Sequence, residues 1–324
     1  MMKSSGFKFV LTTCLLAPLF WIAPTLAKYP EKQVTIVVPY PPGGVTDVYG
    51  RALAQRLSQI WGQPVVVDNK PGGGTVIGTQ LVSRASADGY TILLTSYGYT
   101  SNPVLKKSLP YDPKALSPLY LLGTSANMLV INPNLPVKTL DDIVALGKSN
   151  PGALTFGSSG NASSPHIAAE LFAMEAGVKM THIPYKGTGP AMNDLLGGQI
   201  LGIFDGPSAM PRVRANQLKA IAIASAQRHP AAMEVPTFRE LGIDLVFGSW
   251  FGFFVPTGTL GDVQNTIISG IELALKDPTV ISAIEKTGLT YARLKQQDYQ
   301  KFLDAEEARL RRLIKTDGAS IQLE

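Results

Sequence analysis

The chain has 324 residues, of which 45% are hydrophobic and 16% charged, with a formal net charge of +5, three histidines and one cysteine. That length suffices for two ordinary domains, and a single thiol excludes both a disulfide framework and a cysteine-ligated metal centre. The basic residues are scattered and form no stripe interleaved with aromatics, which argues against a nucleic-acid partner.

Lys3 and Lys8 precede an apolar stretch over residues 9–23 that ends in Thr25-Leu26-Ala27, the order of a secretory signal peptide. Pro18 and Pro24 interrupt the stretch and no stop-transfer charges follow, so residues 1–27 are expected to be cleaved after Ala27 and not retained as an anchor. Cys14 follows Thr13, where a lipidation site usually has Gly or Ala, and this argues against a lipoprotein. Cleavage would remove the cysteine and two lysines but no acid, lowering the formal charge from +5 to +3. The chain is therefore expected to be exported.

The β-branched run over residues 34–38 predicts a buried strand that ends at Pro39. Pro41-Pro42-Gly43-Gly44 then turns the chain towards Thr46, read as an N-cap, and a helix with Leu53, Leu57 and Ile60 on one face follows up to Gly62. Residues 65–67 are a second strand, Pro71-Gly72-Gly73-Gly74 leads into a helix over 76–86, and the turn Asp88-Gly89 introduces a third strand at 92–94. Strands near 128–131, 154–156, 200–204 and 220–224 then alternate with helices near 140–149, 165–176 and 190–196. Such alternation predicts an α/β protein with mainly parallel sheets and helices on both faces. Residues 251–255 are strand-like and the remainder reads as helical, ending in a charged amphipathic helix over 297–315 packed on a lobe. Two extended segments rich in small residues, near 123–127 and 248–252, read as crossings between lobes. Lobe 1 would comprise 28–124 plus 250–324 and lobe 2 residues 125–249, with a ligand in the hinged cleft between them.

The strongest chemistry lies in Tyr40, Pro42, Gly43, Gly44, Val45, Thr46 and Asp47, where a glycine turn joins a strand end to a helix start. Unpaired backbone amides and the positive helix end can hold a carboxylate there without an arginine. An ordinary tight turn is the competing reading. Asp47 would itself repel an anion, so it caps amides, orients water or pairs with an amine on the ligand. Thr95 and Ser96, at the end of the third strand, join the candidate ligand residues. The segment Pro71-Gly72-Gly73-Gly74-Thr75-Val76-Ile77-Gly78 repeats the turn design, or else serves close helix-to-strand packing. It is no dinucleotide fingerprint, because Thr75 and Ile77 stand where glycines are needed, and Gly147-Lys148-Ser149 has Asp142 where a phosphate loop needs glycine.

The loop from Gly157 to the next helix supplies hydroxyls, amides and a ring from Ser158, Ser159, Gly160, Asn161, Ser163, Ser164 and His166, with Ser163 or Ser164 also capping that helix. An exported serine hydrolase is the alternative function. Its nucleophile elbow fails at Asn161 after Ser159, and Gly206-Pro207-Ser208-Ala209-Met210 fails at Met210. His166, His182 and His229 lack a motif marking a base, and no two have metal-ligand spacing, so neither catalytic residue, metal nor cofactor is expected. Asp205 ends an apolar strand where α/β sheets bind ligands; it binds ligand or water, or caps the next turn. Tyr40, Tyr97, Tyr99 and Trp250 either wall an aromatic pocket or pack in a core.

In order, the Pro-Pro-Gly-Gly-x-Thr-Asp turn, Asn69-Lys70-Pro71-Gly72, Asp88-Gly89-Tyr90-Thr91, Asn102-Pro103 and Leu109-Pro110-Tyr111-Asp112-Pro113 form a recurring set. Pro184-Tyr185-Lys186-Gly187, Asp194-Leu195-Leu196-Gly197-Gly198 and Phe204-Asp205 complete it. Along nearly the whole mature chain this resembles the receptor proteins of tripartite tricarboxylate transporters, also called the Bug family of periplasmic binding proteins. The resemblance implies the class II periplasmic-binding-protein fold, two doubly wound α/β lobes joined by two crossover segments. It further implies solute uptake without catalysis, a small mono-, di- or tricarboxylate or an aromatic acid as ligand, and a monomer that meets permease subunits or a membrane sensor. In the family the first glycine turn holds one carboxylate with ordered water, a role that falls here on Pro42 through Asp47. The serine-rich loop, Ser158 through Ser164, contacts the rest. The chain departs at Ala162, where glycine is frequent, at Gly206, where serine is frequent, and at Gly73 and Ala87, so the ligand's identity does not transfer by analogy.

Overall fold

A computed structural model describes residues 29–317, so the expected signal peptide lies outside the described residues. The run Val-Thr-Ile-Val-Val forms strand β1 (Val34–Val38), almost wholly buried, as a β-branched segment between two neighbours should be. Helix α1 (Val45–Trp61) returns the chain to β2 (Val65–Asn69), and α2 (Val76–Ser83) leads to β3 (Thr91–Ser96). Both β2 and β3 pair with β1 in parallel. Helix α3 (Gly98–Leu105) follows at once, and β4 (Leu116–Ala126) carries the chain to the other lobe.

The second lobe contains β5 (Met128–Ile131), α4 (Leu140–Ser149), β6 (Thr155–Ser158), α5 (Ser164–Glu175), β7 (Thr181–Pro184) and α6 (Thr188–Leu196). It closes with β8 (Gly202–Asp205), α7 (Met210–Arg214) and β9 (Lys219–Ile223). The chain returns through β10 (Gly248–Pro256) and ends with α8 (Gly261–Ala274), α9 (Pro278–Glu285), β11 (Thr290–Lys295) and α10 (Gln296–Asp317). One sheet has six strands in the order β11-β4-β10-β3-β1-β2, and the other has five in the order β7-β6-β8-β5-β9.

The expectation of mainly parallel sheets needs correction. β10 is antiparallel to both β3 and β4, β11 is antiparallel to β4, and β5 is antiparallel to both β8 and β9. The cause lies in the crossings: the chain leaves the first sheet along β4 and comes back along β10, so these two must run in opposite directions. Between β4 and β5 only Asn127 intervenes. Its amide donates to the Phe247 carbonyl at 3.0 Å and its carbonyl accepts from Ala224 at 2.7 Å, which stitches the outgoing and returning strands together. β11 also corrects the reading of that region as wholly helical; it is an edge strand with only partly buried residues, too weakly patterned to stand out.

Helix α10 packs as its pattern demands. Tyr299, Leu303 and Leu310 are buried, and the Tyr299 ring lies 5.8 Å from Trp250 and 5.2 Å from Phe254. Trp250 is thereby a core residue, and the partly buried Tyr99 packs against that core with its ring 4.2 Å from Phe254.

Candidate functional site

A cavity of about 830 Å³, counting the solvent at its mouth, opens between the two sheets. Among the described residues, four helices begin at its wall: α1 and α3 from the six-stranded lobe, α5 and α6 from the other. None of the four has a side chain capping its first amides. Elsewhere Thr139 and Asp142 form a capping box on α4 and Asp277 caps α9, while α2, α7 and α8 also start without a side-chain cap, so what distinguishes these four is their convergence on one cavity. Free amides at four converging helix starts supply hydrogen-bond donors and partial positive charge to one enclosed space.

The N-cap of α1 is Gly44, not Thr46 as the sequence suggested, and Thr46 lies buried in the first turn. The glycine turn places Gly43 at φ 84°, a left-handed conformation that a side chain would strain. Asp47 fixes this turn: its Oδ2 accepts from the Gly43 amide and from Arg51 Nε, each at 2.9 Å, and its Oδ1 accepts from Asn69 Nδ2 at 2.9 Å. Burial alone would raise the Asp47 pKa, but these hydrogen bonds outweigh it and hold the carboxyl below its usual range. With Arg51 neutralising it and its oxygens engaged behind the turn, Asp47 stays off the cavity wall and presents no free charge there.

Tyr40, Pro42, Gly44, Val45, Thr46 and Ser96 line the cavity from one lobe, and Ser159, Ser163, Ser164 and Asp205 from the other. Burial pushes the Tyr40 hydroxyl up to about 12, with Thr95 and Ser96 pulling the other way. Gly43, Thr95, Ser158 and His166 do not line it, and Gly160 and Asn161 line a neighbouring recess. Ser163 occupies the N-cap of α5, yet its hydroxyl donates to the Gly160 carbonyl at 2.6 Å and leaves the helix amides free. Ser164 donates to Asn127 Oδ1 at 3.2 Å, tying the cavity wall to the crossing.

Among the described residues, Asp205 is the only charged side chain lining the cavity. Burial raises its pKa to about 6, against the Gly206 amide and the Arg212 charge, which lower it. His166 stacks on His182 at 3.7 Å and accepts from the Ala162 amide, while Ser158 Oγ lies 2.6 Å from His182 Nε2. Burial and the neighbouring His166 lower the His182 pKa to about 3. This pair of buried Ser158 and partly buried His182 stands off the cavity, and among the described residues no histidine lines the cavity in which Ser159 and Ser208 stand.

Sequence reasoning missed Ser125, Asn127, Gly187, Thr188, Gly189, Ser249 and Thr287, all on the cavity wall. Gly187-Thr188-Gly189-Pro190 carried a legible signal, a glycine turn ahead of a helix. Ser249, whose Oγ lies 2.5 Å from Ser96 Oγ, had none, since only the pairing of β10 with β3 brings them together. The start of α3 was hidden by Pro103 inside the helix and by the aromatic sequence Tyr97-Gly98-Tyr99.

The lobes touch along a narrow seam. A Cβ on Gly74 would lie 2.6 Å from the Asn161 carbonyl oxygen, and one on Gly187 would lie 2.7 Å from Pro41 Cδ. Ser101 donates across the same seam to the Ala162 carbonyl. Ala162 itself has φ 63°, the left-handed conformation that makes glycine the ordinary residue at this position.

The sequence profile of the "Tripartite tricarboxylate transporter family receptor" matches residues 49–319. Protein BugT of Bordetella pertussis is 36% identical over 302 residues, covering 91% of this chain and 92% of BugT. Among solved structures, the periplasmic binding protein BugD superposes with a TM-score of 0.85 at 30% identity, covering 90% of this chain and 99% of BugD. Rpa4515 of R. palustris, solved with adipate, gives 0.85 at 31% identity, covering 90% of this chain and 98% of its own. The two α/β lobes therefore have the periplasmic-binding-protein fold expected from the sequence.

Proposed function

The chain belongs to the tripartite tricarboxylate transporter receptor family, and from that premise we propose that it is an exported, non-catalytic receptor closing on a small carboxylate for uptake. One observation carries this reading: uncapped helix starts from both lobes face a cavity that, among the described residues, is lined by no lysine, arginine or histidine. An anion enclosed there is held by backbone amides and serine hydroxyls, with the dipoles of the helices in place of a cation. Charged hydrogen bonds contribute on the order of 1.5 to 3 kcal/mol each, so two or three support micromolar binding after the ordering costs. The solved relative with adipate and the family's transporter name support a carboxylic acid as ligand. The proposed arrangement puts residues 1–27 in the removed signal peptide and the hinge at Asn127 and the segment entering β10. The hydrolase alternative lacks a base within the cavity.

The test is thermal denaturation of purified protein, stripped of co-purified ligand, against a panel of mono-, di- and tricarboxylates and aromatic acids. At least one acid should raise the midpoint by several degrees and be recovered chemically unchanged. A flat response to the whole panel, or turnover of esters lost on replacing Ser159 or Ser208, would sink the proposal.

A further inference from the structure

Beside the main cavity lies a second recess of about 690 Å³, again counting the solvent at its mouth. The two share Tyr40, Pro41, Ser159 and Gly187, so the Pro41 to Gly187 contact of the seam forms the partition between them. Their electrostatics are opposite. Among the described residues, Asp205 is the only charge on the main cavity's wall, whereas the recess is lined by Lys106 and Lys186 and by no carboxylate.

The two lysines come from different lobes. Lys106 terminates α3 beside the six-stranded sheet, and Lys186 follows β7 at the edge of the five-stranded one. Neither makes an ion pair among the described residues, although Lys70, Lys295 and Lys301 each pair with an acid. The floor between them is the turn Gly72-Gly73-Gly74-Thr75, in left-handed conformation from Gly73 through Thr75 at φ 60°, 64° and 80°, ahead of the uncapped start of α2. Lys106 is partly buried and Lys186 exposed, so water screens their mutual repulsion, but two cationic side chains on one recess wall still favour an anion between them. Separating the lobes would part the two charges, so their repulsion opposes closure and an anion between them favours it.

We propose that this recess is a second anion site, where one oxyanion bridges Lys106 and Lys186 across the seam and favours the closed arrangement. The inference rests on the reading of two lobes that close. The oxyanion has two possible sources, the far carboxylate of an elongated acid whose near end sits in the main cavity, or a separate small anion from solution.

The experiment uses the purified exported protein, wild type and the variants Lys106→Gln and Lys186→Gln, with sulfate, adipate and hexanoate as probes at constant ionic strength. Without added anion, each variant should unfold at or above the wild-type temperature, since a repulsion has been removed. Sulfate should raise the wild-type midpoint, and either substitution should abolish that rise. If the bridging group belongs to the ligand, calorimetry will show adipate affinity falling about tenfold in either variant while hexanoate affinity stays put. A separate anion would instead leave sulfate-free adipate affinity unchanged, with sulfate strengthening it in the wild type alone. Equal sulfate responses in all three proteins, together with an unchanged ratio of adipate to hexanoate affinity, overturn the proposal. Carboxylate binding that survives this outcome leaves the receptor function intact. Lysine-dependent sulfate binding without binding of any carboxylate would keep the second site and remove the receptor function.

Discussion

Asp205 is an acid on the wall of a cavity assigned to an anion, and burial, by raising its pKa to about 6, relieves that conflict only as the pH falls through this value. The unfolded carboxyl titrates near 3.8, so the folded chain binds the extra proton between these values. The penalty for its buried charge is complete above about pH 6, shrinks as pH falls through that value, and is gone below 3.8. Asp205→Asn should therefore stabilise the protein by on the order of 2 kcal/mol at pH 8 and hardly at all at pH 4, read from urea denaturation. Carboxylate affinity in the wild type should tighten from pH 7 to pH 5, and in the variant stay flat. An identical stability difference at both pH values would show that the Asp205 charge is not penalised. Asp47 shows the opposite solution, a buried carboxyl kept ionised by the Gly43 amide, Arg51 and Asn69 to brace the glycine turn.

At the scale of elements, the seam depends on glycine at two places where backbone meets backbone or a proline ring. Gly74→Ala would put a Cβ 2.6 Å from the Asn161 carbonyl, and Gly74 also has φ 64°. The substitution should weaken adipate or any other bound acid by about tenfold or more while costing only about 1 to 2 kcal/mol of unfolding stability for the left-handed alanine. Unaltered affinity in calorimetry would mean that closure does not need this contact. The glycine turns and their helices were legible in the sequence, because glycine and proline clusters between apolar runs are strong local signals. The boundaries of β1, β5 and α4 were legible for the same reason. The wall was less so: Ser125, Ser249 and Thr287 reach it through antiparallel pairing and loop placement between residues more than a hundred positions apart, which no local pattern encodes. His166 looked like a loop ligand for its neighbours' sake, yet its stacking on His182 turns it into the lobe interior.

The whole molecule places both chain crossings beside the cavity and then straps them with α10. Arg309 on α10 donates to the Val246 carbonyl and covers the Phe247 ring at 5.4 Å, immediately before β10. The Tyr97 ring packs edge-on against Phe247 at 5.1 Å. Capture and release thus become one event in the proposed mechanism, since the same movement that parts Gly74 from Asn161 also separates the helix starts that hold the anion. A crystal structure of the protein with its tightest-binding carboxylate tests this most directly. The account predicts two lobes closed on the acid, with one carboxylate within hydrogen-bond distance, directly or through one water, of the amides at Gly44 through Thr46 and of groups at the start of α5 or α6. An acid held by lysine or arginine side chains alone, with those helix starts facing only solvent, would contradict it.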